Sequence, residues 1–378
     1  MAGEGSKKIR LLPERSNVRD SRTQPLQQQT EFELPLEILE DIISRLELAD
    51  NIRASAVCKS WLAAAISVRV SNKPPWLMVF PRSGKLYKFY DPSQRKTYWL
   101  ELPELDEAKV CHAKDGWLLL SKPRLRKMFF FCPYTQEIIK LPDIEFSYER
   151  VKTAFSTSPK STSCVVFSVR LVSHNMVSLS NWRPGATEWS TAFYTNPVGC
   201  HKSICSNLVF CNGRFYYFCI TGWVGVYRPD FNTWTVYVIH RPNCPGAFSD
   251  RNWCTKKFMV EHDGEIFLIL TSSVQNPVVY QLNQVSLAWM ERKSLGGVSL
   301  FASLLSSHAR VDLLGKMRDS VYFPKVRFHG KRCVSYSVAE GRYCPRNQIY
   351  DWGEIDHLES LWIDQPEDLS AFLQKSRT

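Results

Sequence analysis

The chain has 378 residues, 44% of them hydrophobic and 13% aromatic, and carries 48 Lys plus Arg against 37 Asp plus Glu, a formal charge of +11. That length and apolar content support a core without disulfide or metal staples and exclude a chain disordered throughout. The basic excess suits nucleic acid, an anionic membrane or acidic protein partners without choosing among them; 12 Trp, 15 Tyr and 21 Phe favour a β-rich architecture, because aromatic rings fit a pleated, half-buried surface.

The opening residues, MAGEGSKKIRLLPERS, lack the continuous apolar run of a secretory signal, which argues against export by that route. Residues 1–30 hold six basic and three acidic side chains with no amphipathic period and read as a disordered tail. Lys7, Lys8 and Arg10 form a weak nuclear address at best and more simply a solvated charge cluster. The most apolar stretch, residues 215–227, is 13 residues with two glycines, too short for a membrane span. A soluble protein of the nucleus and/or cytoplasm, without a membrane partner, is expected. In that reducing setting the 12 cysteines read as small buried thiols. Cys200, Cys205, Cys211 and Cys219 are the densest group, with His201 beside the first, but no C-x-x-C pair is present, so neither a metal nor another cofactor is expected.

From Leu34 the pattern changes. Apolar residues at 36, 39, 42, 43 and 46 follow the period of one helix face, with Pro35 suited to the first turn and Glu37, Glu40 and Asp41 at the end that favours negative charge. Asp50 is placed to cap a second helix beginning near Asn51, and a third stretch runs through Trp61, Leu62 and Ile66. Three short helices make a core too small to stand well alone, so several apolar residues here should finish their burial against another protein.

After Lys73, Pro74 and Pro75 the helical period gives way to short β-like runs that repeat. Turn-plus-strand units begin at Asp115-Gly116, Asn212-Gly213, Asp263-Gly264 and, more weakly, Asp319-Ser320, at spacings of 97, 51 and 56. A member without its glycine is expected near Cys164-Val165-Val166-Phe167. A second series, Trp99, Trp189, Trp234 and Trp289, with residues 135–139 (TQEII) in its gap, is spaced by 90, 45 and 55. A repeat of about 50 residues with a turn-glycine entry and a late Trp is the mark of a kelch-sort β-propeller blade, and residues 71–378 accommodate about six. The segments after Pro75 and before Ile363 are placed to pair and close the ring.

Leu34-Pro35-x-Glu37-Ile38-Leu39-x-x-Ile42-x-x-Arg45-Leu46, then Asp50, Arg53 and Val57-Cys58-Lys59-x-Trp61, closely resembles the F-box, the helical motif that docks on the Skp adaptor of Skp-cullin-F-box ubiquitin ligases. One departure is visible: the second Leu-Pro pair common in F-boxes reads Leu46-Glu47. The repeat region, with elements such as Trp99-Leu100-Glu101-Leu102-Pro103, is similar to plant F-box proteins with a kelch-like propeller of the KIB type. The division expected is a tail over 1–30, an F-box over 31–70, a propeller over 76–365 and a C-terminal tail over 366–378: a small all-α module followed by an all-β propeller.

The resemblance implies that Leu34, Pro35, Ile38, Leu39, Ile42, Leu46, Val57 and Trp61 serve the Skp adaptor, some of them through the module's own core, and that cullin is reached through the adaptor. Residues 31–70 carry a net −3 and the tail +3, leaving +11 on the propeller, where it either steers an acidic or phosphorylated target or simply keeps the surface solvated. Trp182, Arg183, Trp223, Arg228, Arg241 and Trp253 are candidate target contacts, since Trp and Arg are favoured at binding hot spots; each Trp equally suits blade packing. No P-loop, G-x-S-x-G or H-E-x-x-H pattern occurs, and the histidines of Cys111-His112, Cys200-His201 and Asp356-His357 are scattered, so intrinsic catalysis is not expected. The function implied is target recognition for ubiquitination, with a non-degradative scaffold as the alternative; a carbohydrate-binding propeller, which would need a carboxylate pair in its channel, and a nucleic-acid binder rank below.

Overall fold

Three helices open the structure, a computed structural model that describes residues 34–44, 46, 48–69, 73–81, 83–122, 124, 126–143, 151–173, 175–195, 207–219, 222–239, 256–272, 275–311, 313, 317–327, 332–345, 360–365 and 370–376. They are α1 (Leu36–Ser44), α2 (Leu48–Ala54) and α3 (Lys59–Arg69). The second helix starts three residues before the position expected, so Asp50 lies inside its first turn and pairs with Arg53 at 2.7 Å instead of capping. Leu39, Ile43, Ala64 and Ala65 form the buried centre, and Ser67 Oγ donates to Glu40 Oε1 at 2.5 Å, tying α3 to α1. No described helix is long and apolar enough to cross a membrane.

Beyond Lys73 the chain builds six sheets, one for each expected blade. Blades 2 to 5 are four-stranded antiparallel meanders whose first strands are Lys109–Lys114, Val151–Phe155, Asn207–Cys211 and Lys256–His262. The Asp-Gly and Asn-Gly pairs join first to second strands in blades 2, 4 and 5, and each holds both residues at positive φ: 51° and 76° at Asp115-Gly116, 48° and 73° at Asn212-Gly213, 51° and 77° at Asp263-Gly264. That is the mirror-image two-residue turn whose twist matches paired strands. Blade 3 lacks the glycine because its first two strands are joined by a longer connection, closed by Ser156 N–H to Val165 O at 3.0 Å and Val165 N–H to Ser156 Oγ at 2.9 Å. Its second strand, Val166–Ser173, occupies the place expected near 164.

The late-Trp series marks the outermost strands: Trp99, Trp234 and Trp289 lie on them, and Trp189 immediately precedes the strand Ser190–Thr195. The hairpin leading into each outer strand of blades 1, 2, 4 and 5 ends on a residue at positive φ, namely Arg95, Gln136, Asn232 and Leu287. Every Cβ crowds the following carbonyl here, and Leu287, unlike Asn232, has no short polar side chain whose local hydrogen bonds offset that cost. Replacing Leu287 by Asn is therefore expected to raise stability by about 0.5–1 kcal/mol, read as an upward shift of the denaturation midpoint.

Ring closure joins the two ends of the propeller. Ser360–Ile363 is the innermost strand of blade 1 and pairs antiparallel with Trp76–Val79, Leu361 opposite Met78. Blade 6 departs from the plan: it has five strands, with Ser299–Phe301 parallel to Ser320–Arg327 and His308–Arg310 at its inner edge.

Each blade interface contains an aromatic pair, which accounts for much of the aromatic content. Around the ring these are Phe89–Tyr134, Phe130–Phe155, Phe167–Tyr227, Phe218–Trp289, Phe258–Phe323 and Phe301–Trp362, with centroids 4.3–6.0 Å apart. Such pairs contribute beyond the area they bury. The residues expected as a C-terminal tail instead include a short helix, α4 (Ser370–Lys375), whose Phe372 is buried against Trp76, Phe89, Tyr98 and Tyr134. Cys132, Cys164, Cys211 and Cys333 are buried free thiols, and burial pushes Cys164 and Cys211 up to about 11.

Candidate docking face and central channel

Helix α1 has two apolar edges where one would suffice for its core. Leu39 and Ile43 point inward, while Ile38 and Ile42, one residue back along the same period, are 48% and 39% exposed. Exposed apolar residues continue through the module at Leu36, Ile52, Val57, Leu62 and Ile66, with Val57 the most open at 66%. Seven large apolar side chains among the described residues of this small module are thus open to solvent. Of the eight residues expected to serve the adaptor, Ile38, Ile42, Val57 and Pro35 are exposed, Leu34, Leu46 and Trp61 are half-buried, and Leu39, 1% exposed, belongs to the module's own core.

The expected target contacts on the propeller fare differently. Trp182 and Trp223 are 6% and 0% exposed, a correction with a plain cause: the large apolar ring gains more from packing in and between blades than from facing solvent. Trp182 donates its indole N–H to Ala186 O at 2.9 Å. Arg183 is taken up between blades, donating to Pro229 O at 3.2 Å and reaching Asp230 at 3.3 Å, and Arg228 is half-buried at the end of its strand. Arg241, Trp253, Cys200 and Cys205 lie outside the described residues.

What the inner strands bring together is a cavity of about 610 Å³ on the propeller axis, which the scatter of its residues along the chain conceals. His112, Lys114 and Asp115 reach it from blade 2, Phe210 from blade 4, Glu261 and Asp263 from blade 5, His308 and Arg310 from blade 6, and Asp364 from just past the closing strand. The Asp of two turn motifs thus also lines the channel.

One wall of this cavity is the closing seam. His308 Nδ1 lies 3.1 Å from Asp364 Oδ1, Arg310 donates to the same carboxylate, and Arg310 Nε reaches Lys73 O at 3.2 Å. Gln365 donates to Pro74 O at 2.7 Å, so the start and the end of the propeller meet here. Burial alone would raise the Asp364 pKa, but His308 and then Arg310 outweigh it and hold the carboxyl well below the usual range. Ser306 Oγ, 2.7 Å from His308 Nε2, completes the order of a hydrolase triad. However, Nε2 also faces Trp362 O at 3.0 Å and Ser306 is only 3% exposed, a geometry suited to holding the seam. Across the cavity His112 stands edge-on to Phe155, its Nδ1 buried without a hydrogen-bond partner. Burial, then Lys114 and His308, lower its pKa to about 3, which keeps the ring neutral.

Three short helices with open apolar side chains followed by a six-bladed propeller are the two parts expected of an F-box protein of the substrate-adaptor class. Residues 32–69 match the F-box-like family and residues 89–356 the KIB1-4 beta-propeller family, so the chain belongs to the F-box proteins with a KIB1-4 propeller. Similar Arabidopsis thaliana proteins include F-box/kelch-repeat protein At1g57790, 38% identical with 89% of this chain and 95% of that one covered. F-box protein At4g00893 is 38% identical over 89% and 87% of the two chains, and F-box protein At3g56470 is 38% identical over 90% of each.

Proposed function

We propose that this protein is the substrate-recognition subunit of a Skp-cullin-F-box ubiquitin ligase, working in the nucleus and/or cytoplasm. Its helices dock the Skp adaptor, the adaptor links it to cullin, and the propeller holds a target protein for ubiquitination. The contribution is proximity: a bound target lysine is kept near the charged carrier, so a bimolecular encounter becomes effectively intramolecular. The observation that carries this reading is the exposed apolar face of a module that matches the F-box, with Ile38, Ile42 and Val57 open and Leu39 and Ile43 inside.

The test is target turnover. Proteins that co-purify with the tagged full chain under proteasome block are followed after release of the block, beside wild type and an Ile38→Ala/Ile42→Ala variant. At least one half-life should shorten with wild type and recover with the variant. Half-lives indifferent to both would overturn the ligase reading in favour of a non-degradative scaffold.

A further inference from the structure

The charges around the axial cavity run opposite to those of the propeller region as a whole. Its lining holds four carboxylates, Asp115, Glu261, Asp263 and Asp364, against Lys114 and Arg310, within a region whose net charge is +11. Both cations are already engaged by the protein: Lys114 Nζ sits 5.4 Å from the centre of the Phe210 ring, and Arg310 is held by Asp364. Asp364 is likewise consumed. The hydrogen bonds to two of the other three carboxylates come from uncharged donors, Thr157 Oγ1 to Asp115 at 3.3 Å and Gly264 N–H to Glu261 at 3.1 Å. Their negative charge is therefore not neutralised by those bonds. Glu261 lies near the end of the strand Lys256–His262 and Asp263 in the turn that follows it, and both line the cavity.

A second observation asks for a ligand independently of the acidic rim. His112 Nδ1 is buried and unpartnered, and a polar atom left so costs free energy unless something entering the cavity bonds to it. Because the ring is held neutral, it can bond a guest without repelling a cation. Phe155, Leu208 and Met259 give the same cavity an apolar wall. Carboxylates at the rim, an apolar wall and a volume of about 610 Å³ together fit a group with a cationic head on an aliphatic stem.

We propose that the axial cavity receives a basic side chain, Lys or Arg, presented by the target protein. This deepens the function proposed above by naming the chemistry the propeller recognises. The rim would attract the charge through Asp115, Glu261 and Asp263, and the stem would lie along the apolar wall.

The test titrates capped Ala-Lys-Ala and Ala-Arg-Ala tripeptides, with Ala-Glu-Ala and spermidine as controls, into the full chain and into Glu261→Gln/Asp263→Asn. Both substitutions keep shape, and Asn already occupies the equivalent turn position at Asn212, so the fold is preserved. The basic tripeptides should bind, weaken with salt, and lose about tenfold in affinity in the variant, whereas the glutamate peptide should not bind. Absence of binding by both basic peptides at millimolar concentration, equal binding of the glutamate peptide, unchanged affinity in the variant, or binding of spermidine alone would each overturn the proposal. Adaptor binding is measured on the same samples: its loss in wild type would sink the ligase reading and leave the cavity result standing, and its retention with no peptide bound would do the reverse.

Discussion

Replacing Asp364 by Asn is expected to lower the unfolding free energy by about 3 kcal/mol, the lower end of what breaking a buried ion pair costs. The size follows from position. Asp364 accepts from Arg310 and faces His308, and Arg310 also holds Lys73 O, so one carboxylate fastens both ends of the ring. Asparagine keeps the shape but leaves a guanidinium, 24% exposed, without its charge partner. The pH dependence has a definite sign. The folded pKa of Asp364 is depressed, so its stabilisation is fully present above the ordinary carboxylate range, near 4, and is lost as pH falls below that. Wild type should lose more stability than Asp364→Asn between about pH 5 and pH 2, measured by denaturant unfolding at each pH. Equal slopes would show that the seam does not depend on this charge.

The second large effect is expected at Gly225, where no turn requires glycine. It sits in the middle of the strand Trp223–Arg228, and a Cβ built there would lie 1.9 Å and 2.1 Å from the ring atoms of Trp234. The indole covers the bare backbone from the neighbouring strand, a cross-strand rescue of a glycine by an aromatic. Any side chain must displace that ring. Gly225→Ala should therefore cost about 3 kcal/mol, the upper end for overpacking. Trp234→Ala in the same background should recover part of the loss, whereas simple addition of the two costs would show that the contact is not the cause.

Much of this architecture was legible because its local chemistry repeats. Asp-Gly and Asn-Gly turns demand positive φ, and the late Trp marks an outer strand, so two periodic signals located the blades and even the member without a glycine. Helix α2 begins three residues earlier than its sequence suggests because Asp50, a good cap by type, pairs with Arg53 within the helix instead. By residue type Trp182 and Trp223 suit target contact and blade packing equally, and only their burial shows that both rings pack inside the propeller.

The cavity was hidden for a different reason. His112 and His308 are far apart in the chain, yet inner strands of different blades converge on one axis and bring them to the same cavity. Asp115 and Asp263 were visible only as turn residues; that a turn at the end of an inner strand also faces the channel is a property of the closed ring.

The most direct measurement of the central claim is the affinity of the full chain for a purified Skp adaptor, compared between wild type and Ile38→Ala/Val57→Ala. These two side chains are 48% and 66% exposed, so their loss should spare the helical core formed by Leu39 and Ile43. Binding by wild type, weakened about 30-fold in the variant for a combined loss of about 2 kcal/mol with the helical signal unchanged, is the result predicted. No binding by wild type, or equal affinity in the two proteins, would contradict it.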